Sequence, residues 1–238
     1  MKKKQFCLFL IFIFIFVFFF NTIAVNAMNT GFLTDALSKE EQNIFISNID
    51  LCLIESEPAK NSVVCFDVNK NKMIAVGQKS SDRKTICVYS NDGTFQYGYT
   101  FNCSGDFGIE WDEDNLNVYF VRSSVLISVS PQGNVSDVLE IQNTIENNSY
   151  VNHFIHATER TIGNTTYLIR NNMGILNWIA SSYSQVVVKD AAGTENVIYD
   201  TSSIQFINIV FSIIFVCVFV FVAIAAIAWQ FIKLRRDN

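Results

Sequence analysis

Glu110, Asp112, Glu113 and Asp114 form the densest acidic patch of the chain, beside a polar turn at 113–115. Gathered acids are what a hydrolase needs for a general acid and a general base, and Glu110 and Asp112 are its best candidates here. A calcium loop would instead need oxygen ligands at alternating positions, a central glycine and a later glutamate. Leu116 and Val118 stand where oxygen or turn residues belong, so the patch reads as a solvated hairpin turn. The only histidines, His153 and His156, would point to opposite faces of a strand and have no Cys or acid at ligand spacing. There is no G-x-S-x-G, HExxH, P-loop or dinucleotide fingerprint. No cofactor and no metal is implied.

Four cysteines lie between the apolar ends of the chain: Cys52, Cys65, Cys87 and Cys103. Cys52 and Cys65 are symmetric about a turn at 57–60, and in a hairpin they would face each other closely enough for a disulfide. A two-residue Asp92-Gly93 turn would pair Cys87 with Gly98, not with Cys103. No CxxC spacing exists, so neither a zinc knot nor a thioredoxin-like redox site is supported. Asn102, Asn134, Asn147 and Asn164 each open a glycosylation sequon.

What must position these residues is bounded by two apolar segments. Phe6–Phe20 follows Lys2–Lys4 and is roughly 22 Å long as a helix at about 1.5 Å per residue, short of the roughly 30 Å hydrocarbon core. Val25-Asn26-Ala27 then supplies a cleavage-like site, so residues 1–27 read as a secretory signal peptide. The C-terminal segment has no charged side chain from Thr201 to Ile232. Ile209–Trp229 alone would reach about 31 Å, enough to span. Trp229 suits the headgroup zone, and Lys233, Arg235 and Arg236 suit the cytoplasmic side. The expected division is signal peptide 1–27, an extracytoplasmic domain 28–203, a membrane helix 204–232 and a short basic tail 233–238. Of the whole chain's net charge of −5, the tails contribute mostly lysine and arginine; residues 28–203 hold 11 basic and 21 acidic side chains, a net charge near −10. That sign argues against nucleic acid as a partner.

Within the domain the pattern is mostly β, with short β-branched or aromatic runs separated by polar and glycine-bearing turns. One helix start is expected at Ser38, where Glu41 completes a capping box. Asn43–Ile54 reads as a strand. Two segments align. Val64–Val68, a polar turn and Lys72–Val76 match Ile109–Asp112, a polar turn and Leu116–Val121. Each is followed by a hairpin, closed at Gly93 in the first copy and at Gly133 in the second, 40 residues on. A third hairpin closes at Gly193, preceded by Thr165–Arg170.

A four-strand unit of about 40 residues is the period of a propeller blade. Roughly residues 62–200 resemble NHL-type and related β-propeller repeats. The resemblance implies an all-β domain, an incomplete propeller-like array of about three four-stranded blades, followed by the transmembrane helix. Three blades do not close a ring, so the open edges call for a protein partner or a second copy of the chain. The functional expectation is a non-enzymatic, single-pass binding or scaffold module of the cell membrane, held in the bilayer by its C-terminal helix. The rivals are a subunit of a larger membrane complex docking through its open β edge, and an anchored hydrolase.

Overall fold

The computed structural model describes residues 28–78 and 83–236. The signal-peptide segment 1–27 lies outside the described residues, as do the side chains of Lys233, Arg235 and Arg236.

The largest elements among the described residues are three antiparallel sheets and one long C-terminal helix. The strands in chain order are β1 (Thr34–Ala36), β2 (Cys52–Ile54), β3 (Val63–Val68), β4 (Ile74–Gln78), β5 (Lys84–Tyr89), β6 (Phe95–Phe101) and β7 (Phe107–Asp112). They continue with β8 (Asn115–Phe120), β9 (Val125–Val129), β10 (Val135–Ile141), β11 (Glu159–Ile162), β12 (Thr165–Arg170), β13 (Gln185–Lys189) and β14 (Glu195–Asp200). Each sheet is a meander of four consecutive strands: β3 to β6, β7 to β10, and β11 to β14. The first two carry an extra strand on the outer edge, β2 on β6 and β1 on β10.

The β3–β6 sheet is the middle layer, which explains why its strands read as nearly continuous apolar runs. Cys65, Ala75, Ile86, Val88, Tyr99 and Phe101 face the β7–β10 sheet, while Phe66, Val68, Ile74, Val76, Cys87 and Tyr89 face the β11–β14 sheet. The far face of the β7–β10 sheet buries Tyr119, Leu126 and Ile141 beneath Phe32 and Ile155.

The same turn closes all three outer hairpins. Gly93, Gly133 and Gly193 adopt φ of +87°, +81° and +84°, which a residue bearing a Cβ adopts only with strain. Each glycine N–H donates to the carbonyl three residues back, from Ser90, Ser130 and Asp190 in turn, at 2.8 to 3.0 Å. This is the three-residue hairpin loop in which glycine supplies the left-handed position.

Helix α1 (Lys39–Ile49) starts at the expected capping box: Ser38 Oγ accepts from the Glu41 N–H, and the Glu41 carboxylate accepts from the Ser38 N–H. It overturns the expectation of a strand from Asn43, because the cap commits that stretch to helix and leaves only Cys52–Ile54 extended. Further on, α2 (Ile145–Tyr150) runs into a π-helical turn at Val151–Ile155, and a 3₁₀ turn covers Gly174–Ile179. Helix α3 (Ser202–Arg236) begins two residues before the expected boundary. Its stretch Ser202–Trp229 is long and apolar enough to cross a bilayer.

Candidate functional site

The leading strands of the three sheets converge: β3 packs against β7 and against β11 and β12. Asp67 of β3 sits where they meet. Its Oδ1 accepts from Arg160 Nε of β11 at 2.7 Å, and its Oδ2 accepts from the Trp111 backbone N–H of β7 at 2.8 Å. The Trp111 indole N–H donates to the Asp67 carbonyl at 3.3 Å. The two charged side chains are only 6% and 9% exposed. Arg160 also donates to the carbonyls of Phe154, at 2.6 Å, and Glu159, at 3.1 Å. Its guanidinium lies 4.5 Å from the Phe154 ring centre, a cation–π contact. Burial lifts the Asp67 carboxyl above its ordinary value, and the Arg160 charge and Trp111 N–H oppose that lift. Both carboxylate oxygens and both faces of the guanidinium fork are engaged. The cluster is a three-way clamp between sheets, with no side chain of the pair left over to attack a substrate.

Glu110 and Asp112 are both tied to the segment entering the domain. Glu110 accepts from the Tyr150 hydroxyl and, at 2.9 Å, from Thr30 Oγ1. Burial raises its pKa above the usual carboxylate value, with the two hydroxyl donors acting against it. Burial, with Glu110 adding to it, pushes the Tyr150 hydroxyl up in turn. Asp112 accepts from the Asn29 N–H at 2.8 Å. Residues 29–33 thus form a strap across the β7–β10 sheet, and the two acids hold it. Asn147 clasps the far end of the strap, accepting from the Leu33 N–H and donating to the Leu33 carbonyl, each at 2.8 Å. Its sequon is therefore buried, with the amide already used. Asp112, Glu113 and Asp137 also border a shallow recess of about 240 Å³ beside Met28 and Asn29. Among the described residues, no three His, Cys, Asp or Glu side chains gather as metal ligands.

The histidines fall on the helical segment after α2, not on a strand. His153 is exposed, and its Nδ1 lies 2.9 Å from the Ser149 carbonyl. The Cys52–Cys65 pairing is corrected as well. Cys52 pairs with Thr100 at one edge of the middle sheet, and Cys65 with Gly77 at the other, with three strands between them. The segment between them passes from edge to edge and forms no hairpin, and the thiols of Cys52, Cys65, Cys87 and Cys103 are free. Cys87 does pair with Gly98, although the turn has three residues and not two, because a bulge between Val88 and Tyr89 restores that register.

No protein-family model, curated protein or solved structure matches this chain.

Two further features bear on function. The outer edge of β14 is open: among the described residues no strand pairs with it, whereas β1 and β2 cover the equivalent edges of the other sheets. Glu195, Asn196 and Val197 are exposed along it. At its end, the chain passes directly into α3, which is docked on the domain. Gln205 Nε2 donates to the Ser182 carbonyl at 2.8 Å, and Thr201 donates through both its N–H, at 2.8 Å, and its hydroxyl, at 3.2 Å, to the Ser184 carbonyl. Gln205 is 4% exposed, a buried amide in the first turn of an otherwise apolar helix. Nothing in the sequence pairs Gln205 with Ser182, 23 residues away. Arg160 went unnoticed because its strand, only four residues long, carries two charged residues.

Proposed function

We propose that this protein is a membrane-anchored binding or scaffold module whose β domain is an incomplete propeller-like array, presented on the extracytoplasmic side. The observation that carries the reading is that, among the described residues, no strand lies on the outer edge of β14, whereas the outer hairpins of the other two sheets each carry an added three-residue strand. An open edge offers a row of backbone donors and acceptors to an added strand, a recurrent mode of peptide recognition. The partner inferred is a protein that contributes an extended segment, from a second copy or a different chain. The docked start of α3 supports a scaffold role, since it holds the β domain at a set angle to the anchor. Against the hydrolase reading stands the use of Glu110 and Asp112 as ties for the strap at 29–33.

The test is site-specific photocrosslinking in the full chain in its native membrane. A crosslinker at Asn196 is expected to yield an adduct whose partner peptide maps to an extended segment, and one at Glu140, on β10 between β9 and β1, is expected to yield none. Val197→Pro, which disrupts the pairing potential of the edge, should abolish the adduct. Equal labelling from both positions, or an adduct insensitive to Val197→Pro, would remove the β-edge reading.

A further inference from the structure

Outside α3, two of the three most exposed large apolar side chains among the described residues share one turn. Ile175 and Trp178, in the 3₁₀ turn Gly174–Ile179, are 86% and 83% exposed. The turn is a built structure. Met173 is buried beneath it, the Met173 N–H donates to Asn177 Oδ1 at 2.8 Å, and the Asn172 N–H donates to Ser184 Oγ at 3.0 Å. Gly174 enters it at φ +59°, a left-handed position suited to glycine. The buried methionine and the asparagine cap thus fix the turn while its two large apolar side chains stay outside. No charged residue occurs from Asn171 to Val188.

The position of this turn names its occupant. It packs against α3. The stretch Ser202–Trp229 has 28 residues, about 42 Å at 1.5 Å per residue, which matches the roughly 40–45 Å of a bilayer with its headgroup layers. The first turn of α3, docked through Gln205 on Ser182, therefore stands at headgroup level. A turn packed against that helix, free of charge and tipped with tryptophan and isoleucine, lies at the same level. Tryptophan favours that zone because its ring is apolar and its N–H stays hydrated.

We propose that the Gly174–Ile179 turn is a second membrane contact, with Ile175 and Trp178 inserted into the headgroup–acyl boundary of the leaflet facing the β domain. The helix alone leaves the domain free to rock about one point. Two contacts define a line, so the domain sits on the membrane in one tilt and the β14 edge is presented at a set height. The inference rests on α3 crossing the bilayer, and its test separates the two.

The three tryptophans, Trp111, Trp178 and Trp229, supply the readout. The full chain is placed in phosphatidylcholine nanodiscs, with and without bromine near the headgroup end of the acyl chains. Trp111→Phe, Trp178→Phe and Trp229→Phe variants assign the quenching to each position. The expected result is that Trp178 loses emission to an extent comparable with Trp229, while Trp111, in the sheet clamp, loses none. Quenching of Trp229 without Trp178 would overturn the second contact and keep the span. Quenching of neither would overturn both. A blue-shifted but unquenched Trp178 would mean that protein covers the turn, and would equally overturn the proposal.

Discussion

Replacing Arg160 with methionine removes the charge from the point where three sheets meet while keeping most of the apolar bulk. In the native protein the Asp67 carboxylate, at 6% exposure, holds Arg160 at 2.7 Å and the Trp111 N–H at 2.8 Å. After Arg160→Met only the N–H remains. Stranding one member of a buried ion pair costs about 3–5 kcal/mol. For a domain of this size each kcal/mol shifts Tm by roughly 2–4 °C, so the variant should melt roughly 6–20 °C lower at neutral pH. The deficit must depend on pH, with a definite sign. Burial already holds the folded pKa of Asp67 above its ordinary value, so the native state binds the proton more tightly than the unfolded chain. This carboxyl therefore favours folding most when protonated, and its contribution falls as pH rises from the ordinary value through the raised one. Removing Arg160 lifts the folded pKa further and extends that window upward. The deficit of Arg160→Met should thus shrink on acidification, by up to about 1.4 kcal/mol per pH unit across the added window. Thermal unfolding of the full chain in nanodiscs, followed by near-ultraviolet circular dichroism at several pH values, measures all of this. Adding Asp67→Asn to the variant should recover much of the loss. A pH-independent deficit, or one untouched by Asp67→Asn, would refute the stranded-carboxylate account; a Tm within about 2 °C of wild type would refute the clamp itself.

Glu110→Gln should cost about 1–3 kcal/mol at neutral pH in the same melting assay, because the Tyr150 and Thr30 hydroxyls donate to different carboxylate oxygens and an amide puts an acceptor at only one of those positions. Since the folded pKa of Glu110 is raised, its share of stability also falls as pH rises through that window, and the variant should lack this slope. The four cysteines of the β domain should all titrate as thiols in the unfolded chain, with no change of mass on reduction; any disulfide seen by intact-mass measurement would contradict the sheet order. In the native state Cys52 should react first and Cys65 and Cys87 last, because burial blocks access and pushes the Cys87 thiol up to about 12, with the Cys65 thiol raised as well. Gly77→Ala should destabilise by about 1–3 kcal/mol in urea titration, since a Cβ there would press on Cys65 Sγ and come within 2.9 Å of the Phe107 ring across the sheet interface.

What was legible in the chain follows from how local its cause is. Val125–Val129, Val135–Ile141 and Thr165–Arg170 are strands with the bounds that their β-branched runs announce. The three glycine turns were readable because a left-handed position leaves a residue type behind it. The helix at Ser38 was readable at its cap and lost within a turn, because Asn43–Ile49 is apolar enough to suit either period and only the cap decides it. The Cys52–Cys65 symmetry misled because proximity along the chain suggests a hairpin, whereas pairing between β2 and β6 spans about half a hundred residues and leaves no local mark. The clamp and the strap were invisible for the same reason. Asp67 and Arg160 are 93 residues apart, and Asn29 and Asp112 are 83 apart. Neither pair has a spacing rule that announces it. Glu110 and Asp112 both hold the strap at 29–33, a structural use of a carboxylate that suits a layered β protein. Sheets stacked through apolar faces have no directional contact between them, and buried charge with a single satisfied partner set supplies one. Asp67 does this for three sheets at once. The sheets are locked through their leading strands, and among the described residues no strand pairs with the outer edge of β14.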